Sequence, residues 1–153
     1  MSAEARLAEL GLTLPPAPAP AGLYAPAVLT GNLLFISGQI PLRDGQPMGR
    51  GKCGAGVTAE AAAPLARQCA LQALAIARSE LGSLDRISRV VRVGGFVASA
   101  PNFTQQPQVI NGASQLLIDV FGDAGKHARA AVGMAELPLG VPVEVEFIFE
   151  VRA

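Results

Sequence analysis

Val143-Glu144-Val145-Glu146-Phe147-Ile148-Phe149-Glu150-Val151 is the stretch that decides the fold. Its odd-numbered positions are all apolar, and three of its four even-numbered positions are glutamates. Successive side chains of a β-strand point to opposite faces, so this alternation predicts a strand with one face on a core. Val143, Val145, Phe147, Phe149 and Val151 form the core face. Glu144, Glu146, Ile148, Glu150 and then Arg152 form the other. Pro138-Leu139-Gly140 reads as the preceding connection, and Arg129–Leu137 as the strand before it.

Further toward the N-terminus, Leu33–Ile40 is a nearly continuous apolar run that follows a Gly31-Asn32 turn, and it predicts another strand. Leu33 and Phe35 share one of its faces; Leu34, Ile36 and Ile40 share the other. A third long strand is predicted at Ile87–Ser99. Between these strands lies a helix that ends near Leu81, with Gly82 as its stop. Thr58 is a candidate cap, but a helix starting there would carry Pro64 in its interior. A start near residues 61–63 puts Pro64 in the first turn, where a missing N–H costs nothing. A second helix follows Asn102-Phe103, with Pro107 near its first turn and Gly122 at its end. Five glycines between 45 and 56 make residues 42–56 a loop, with room for a short strand. Residues 2–12 predict a short helix ended by Gly11. Pro15, Pro16, Pro18 and Pro20 then make 14–21 an extended arm laid over the surface. The order is β, β, α, β, α, β, β. It predicts an α+β fold, one mixed sheet with two helices on one face, in a single domain spanning 1–153 with an N-terminal extension over about 1–21.

Two helices can cover only one face of the sheet. The Leu33–Ile40 strand is apolar on both faces, so its second face predicts burial, in an oligomer or else under the N-terminal arm. The 153 residues carry twelve basic and twelve acidic groups, a formal net charge of zero. Nucleic-acid binding draws on a cationic excess, and Arg86, Arg89 and Arg92 make a small patch at most, so no nucleic-acid partner is expected. No apolar run has the length of a membrane span, and the N-terminus lacks the pattern of a secretory signal. A cytoplasmic location with no membrane partner is the expectation. Cys53 and Cys69 then read as reduced, inert thiols, and with the lone His127 they do not make a metal-ligand set.

Among polar residues, Arg129 opens its strand and shares a face with Ala131, Gly133 and Ala135. Small neighbours beside one long cation leave room for a small ligand, and a guanidinium can hold a carboxylate through two parallel hydrogen bonds. Glu144, on the polar face of the next strand, could position or activate a water. His127 could sit at a pocket mouth, and Tyr24 could be a pocket wall or a packing anchor. Each of these residues also has an ordinary surface role. No nucleophile elbow or phosphate loop is present. The residues alone therefore allow a small-acid site, with an ordinary surface role as the other reading, and give no reaction.

Gly31-Asn32 with Ser37-Gly38-Gln39-Ile40-Pro41 resembles the first-strand signature of the YjgF/RidA proteins. Arg129-Ala130-Ala131-Val132, Leu137-Pro138 and Val143-Glu144-Val145-Glu146 resemble their C-terminal signature. Ala66-Arg67-Gln68 and Asn102-Phe103 fall at the intermediate places. The resemblance implies a chorismate-mutase-like fold and a homotrimer with clefts between subunits. It also implies cofactor-free hydrolysis of reactive 2-imino or 2-enamine acids, such as 2-aminoacrylate, to 2-keto acids and ammonia. By the motif, Arg129 matches the carboxylate-binding arginine and Glu144 the glutamate that holds the attacking water. Tyr24, Ser37, Gly38 and Ala131 match pocket residues, and His127 and Asn102 fall at the cleft rim. The chain departs from the common pattern at Ala25-Pro26, at His127 and at Ala130-Ala131, and it is longer between Phe103 and Arg129. It therefore resembles a divergent branch. A non-catalytic binder or sensor of small carboxylic acids is the alternative. The endoribonuclease or translation-inhibitor role attached to the family name fits the neutral charge least well.

Overall fold

A computed structural model describes residues 1–153. Its elements in chain order are α1 (Ala3–Glu9), β1 (Ala27–Thr30), β2 (Leu33–Gln39), α2 (Ala59–Leu81), β3 (Ile87–Ala98), α3 (Gln106–Phe121), β4 (Ala128–Met134) and β5 (Val143–Val151). Two small ladders, Leu42–Arg43 with Gln46–Pro47 and Lys52–Cys53 with Gly56–Val57, punctuate the glycine-rich loop. The five long strands form one sheet in the order β1-β2-β5-β3-β4. Only β3 and β4 run parallel, joined through α3 as a crossover. The fold is α+β, with α2 and α3 on one face of a mixed sheet.

The alternation in β5 places it at the centre. Val143, Val145, Phe147, Phe149 and Val151 are all buried under the helices, where Phe147 and Phe149 stack at 6.1 Å. The opposite face is open. There Val28, Phe35 and Val132 are 55%, 41% and 42% exposed. Phe35 pairs with Val28 and Ile148, so these apolar groups are contiguous across three strands. An apolar strip running from the edge to the centre of an uncovered sheet face is the pattern of a buried interface.

Two boundaries and one strand depart most from the sequence expectation. α2 begins at Ala59 with Thr58 as its N-cap, whose hydroxyl accepts from Ala61 N at 3.1 Å, and Pro64 lies inside the helix. Proline there leaves the Glu60 carbonyl without its helical donor, and Glu60 is exposed, so water can take it. β4 stops at Met134 instead of Leu137 because its partner β3 ends at Ala98, opposite Met134. β1 was not expected. Ala27–Thr30 pairs back on β2 through the two-residue turn Gly31-Asn32, with Gly31 at φ 57°.

α1 is capped by Ser2 and docks through buried Ala3 and Leu7. Glu4 fixes it by accepting from Arg78 Nε at 3.1 Å and from Leu84 N at 2.9 Å. The α2–α3 crossing depends on Gly112, where a Cβ would lie 1.9 Å from the Ala63 carbonyl oxygen. Helix propensity alone favours alanine here by about 1 kcal/mol. A clash with a backbone carbonyl cannot be relieved by a rotamer change, and overpacking costs about 1–3 kcal/mol or more. Gly112→Ala is therefore expected to destabilise by about 2 kcal/mol, lowering the melting temperature by roughly 4–8 °C. A melting temperature equal to or above wild type would show that the two helices are free to separate.

Candidate functional site

Arg129 is the second residue of β4 and pairs with Val93, which is fully buried beneath the helices. Its side chain thus lies on the helix side, at the sheet edge, and reaches α3. Arg129 Nη1 donates to Asn111 Oδ1 at 2.7 Å and to Ser114 Oγ at 3.2 Å. Asn111 and Ser114 are three residues apart on one helix face, the spacing at which side chains are neighbours. Ser114 Oγ is 2.9 Å from His127 Nε2, and His127 Nδ1 is 2.6 Å from the Gly125 carbonyl oxygen. Burial pushes the His127 pKa down and the Arg129 charge adds to this, against the bond to Gly125. With Lys126 and Ile118 these residues line a shallow recess of about 250 Å3. None of the ion pairs includes Arg129, and both of its partners are neutral. Its charge is uncompensated and the rest of its donor fork is free.

The space expected beside Arg129 is filled by the chain itself. Ala131 packs against the core. A Cβ on Gly133 would meet Gln106 Nε2 at 3.0 Å and Ser99 Oγ at 3.1 Å. Small residues here admit α3 and its first-turn glutamine. Ligand access to Arg129 comes from the recess side.

Glu144 pairs with Phe96 on the open face. A Cβ on Gly38 would lie 2.2 Å from Glu144 Oε2, so glycine at 38 lets the carboxylate rest against the backbone of β2. The β2–β5 ladder is irregular between Ile36 and Gln39, and that irregularity carries Gly38 under the carboxylate. Burial pushes the Glu144 pKa up and the neighbouring Glu146 charge pushes it further. Glu144 takes part in no ion pair. Ser37 is spent on structure: its hydroxyl donates to the Ala25 carbonyl at 2.7 Å, and its N–H donates to the Pro26 carbonyl at 3.0 Å. The Tyr24 hydroxyl accepts from Ala21 N at 3.2 Å. Tyr24, Gly38 and the proline arm line a cavity of about 500 Å3, with Gln39 and Gln72 among its other walls. These two buried glutamines escaped the sequence reading. Gln72 Nε2 donates to the Ile40 carbonyl at 2.8 Å and to Gln39 Oε1 at 3.3 Å, and Gln72 Oε1 accepts from Leu42 N at 2.8 Å. They satisfy the chain where it leaves the sheet.

The expected site residues therefore form two groups. Tyr24, Ser37, Gly38 and Glu144 belong to one; Arg129 and His127, with the unforeseen Asn111 and Ser114, belong to the other. Asn102 joins neither: it is exposed, at φ 70°, in the turn before α3. Because Val93 and Phe96 point to opposite faces of β3, so do their partners Arg129 and Glu144. One chain presents a free guanidinium on one side of the sheet and a carboxylate of raised proton affinity on the other. No cluster of three or more His, Cys, Asp or Glu residues could hold a metal ion, and no helix is long and apolar enough to cross a membrane. Both cysteines are free and buried, and burial raises their pKa values.

A carboxylate that serves as a base must be ionised, so its pKa sets the acid limb of turnover. Glu146→Gln removes the second cause of the Glu144 shift. The Glu144 pKa should fall and the acid limb should move to lower pH. A limb unmoved in Glu146→Gln would mean that Glu144 is not the titrating group.

A mixed sheet of this order with two helices on one face defines a chorismate-mutase-like protein. The chain belongs to the family described as "YjgF/chorismate_mutase-like, putative endoribonuclease", which matches residues 4–150. Protein TCP17 of Trypanosoma cruzi is 46% identical over 97% of this chain and 93% of its own. The crystal structure of Atu1372 from Agrobacterium tumefaciens, a protein of unknown function, is 44% identical with a TM-score of 0.89, covering 99% of this chain and 93% of the other. RidA from an Antarctic Psychrobacter is 27% identical with a TM-score of 0.62, covering 88% of this chain and 94% of its own.

Proposed function

We propose that this protein is a deaminase of reactive 2-imino and 2-enamine acids, working in clefts between the subunits of a homotrimer without a cofactor. The observation that carries this reading is the placement of Arg129 and Glu144. Both are free of ion pairs and they lie on opposite faces of one sheet. A small substrate that touches both must lie between two chains. The uncovered apolar strip of Val28, Phe35 and Ile148 offers the surface for such an assembly, and the likeness to RidA points to the same chemistry.

In this reading Arg129 holds the substrate carboxylate, and Glu144 of the partner subunit holds a water near C2. An enamine first tautomerises to the imine. The water oxygen then bonds to C2 as Glu144 accepts one of its protons, the C=N electron pair moves to nitrogen, and Glu144 returns that proton to the nitrogen. The hydroxyl proton of the resulting carbinolamine then passes through Glu144 to nitrogen as the C–N bond breaks, so ammonia leaves and C2 becomes a carbonyl. No electrons are gained or lost overall. The imine carbon is already electrophilic, so orientation and one placed water supply the needed acceleration. The raised proton affinity of Glu144 brings its pKa nearer neutrality, where a base works best. The formal charge of zero gives a nucleic-acid reading no support.

The test is competition for nascent imines. An amino-acid oxidase generates imines from several amino acids in the presence of semicarbazide, and the protein is expected to suppress semicarbazone formation. Undiminished trapping with every amino acid tried, at protein concentrations well above the oxidase, would reject the deaminase reading.

A further inference from the structure

We infer that Ser114 and His127 are positioning residues for Arg129, forming a directional hydrogen-bond relay that aims its guanidinium at the ligand. This rests on Arg129 being the carboxylate anchor. The direction of every proton in the relay follows from chemistry. The Gly125 carbonyl can only accept, so His127 Nδ1, 2.6 Å away, carries a hydrogen. In the neutral ring Nε2 is then bare, and it accepts from the Ser114 hydroxyl at 2.9 Å. With its proton committed, Ser114 Oγ turns lone pairs toward Arg129 Nη1, which donates at 3.2 Å. Asn111 Oδ1 accepts from the same nitrogen at 2.7 Å. One end of the guanidinium is clamped and the other is left for a ligand.

The relay is anchored on backbone. Gly125 is buried against α3, where a Cβ would lie 2.3 Å from the Leu117 carbonyl oxygen, so the carbonyl that fixes His127 cannot drift. A serine within a helix commonly turns its hydroxyl back to the preceding turn. Ser114 instead points out of α3 to His127. The pair has the look of a nucleophile and its base, but Ser114 sits in mid-helix, where neighbouring backbone N–H groups are consumed by the helix. No pair of donors is left to receive an oxyanion. The lowered His127 pKa agrees with a neutral ring.

The experiment is a double-mutant cycle on binding of a 2-keto acid, followed by NMR titration up to millimolar ligand, with thermal melting to check folding. Arg129→Lys should weaken binding strongly in a folded protein. Ser114→Ala should weaken it about tenfold in the wild-type background and hardly at all in Arg129→Lys, because the relay acts only through the guanidinium. Ser114→Thr, which keeps the hydroxyl, and His127→Gln, which can keep an acceptor near the Nε2 position, should restore binding to within about threefold, whereas His127→Leu should not. In imine turnover, Ser114→Ala should raise KM with kcat nearly unchanged. An equal loss from Ser114→Ala in both backgrounds would overturn the relay while leaving the Arg129 site standing. Wild-type affinity in a folded Arg129→Lys protein would instead overturn the anchor itself.

Discussion

Mixed trimers assembled from Arg129→Lys and Glu144→Gln chains should turn over imines although neither variant does so alone. The two residues lie on opposite faces of one sheet, since their ladder partners Val93 and Phe96 do. A cleft between subunits then draws its guanidinium from one chain and its carboxylate from the next. In a cyclic trimer each cleft needs an intact Arg129 on one side and an intact Glu144 on the other. Random equal mixing gives each chain an even chance of being either variant, so about a quarter of the clefts carry both intact groups. With Glu144 as the base, the expected recovery is therefore about 25% of wild-type turnover, against residual activity orders of magnitude lower in the separate variants. The chains are to be co-expressed, or unfolded together and refolded, with light scattering to confirm the trimer. No recovery from a properly mixed trimer would show that both groups act within one chain or that one of them does not act. A monomer at micromolar concentration would remove the shared cleft.

That division of the site was not legible in the sequence, although most of the fold was. The alternation of Val143–Val151 fixes the central strand, and Gly82 and Gly122 mark both helix ends. Those are local signals. Pro64 argues for a helix start later than Thr58, a rule that yields where the orphaned carbonyl faces water. β1 is only four residues long, and its edge position is a property of its pairing with β2. Which residues share a strand face follows from spacing of two, and Arg129, Ala131 and Gly133 do share one. Whether that face is also the face of Glu144 depends on the register of two ladders through β3, a long-range fact with no local signature. Asn111 and Ser114 carry a trace of their role in their three-residue spacing, yet a polar pair on a helix is ordinarily just solvated. Only the approach of β4 gives it meaning.

Arg129→Lys and Glu144→Gln should separate binding from chemistry. Lysine keeps the charge at position 129 but loses the planar fork, and it cannot be gripped at one end by Asn111 and Ser114 while offering two parallel donors at the other. Losing a charge-assisted contact in a partly desolvated site costs about 2–5 kcal/mol, so 2-keto acid affinity should fall by roughly 30-fold or more. Glutamine at 144 keeps the shape and can still hydrogen-bond a water, but it cannot accept a proton. It also removes the charge whose burial beside Glu146 is unfavourable, so the fold should be as stable as wild type or more stable at neutral pH. Affinity for 2-keto acids should survive in Glu144→Gln, whereas turnover should fall by about 100-fold or more if Glu144 is the base, and only modestly if it merely orients water. A protein that binds small carboxylic acids without reacting on them needs Arg129 and is indifferent to Glu144. Imine turnover unchanged in a folded Glu144→Gln protein would therefore take the chemistry away from this carboxylate, and 2-keto acid affinity unchanged in a folded Arg129→Lys protein would take the site away altogether.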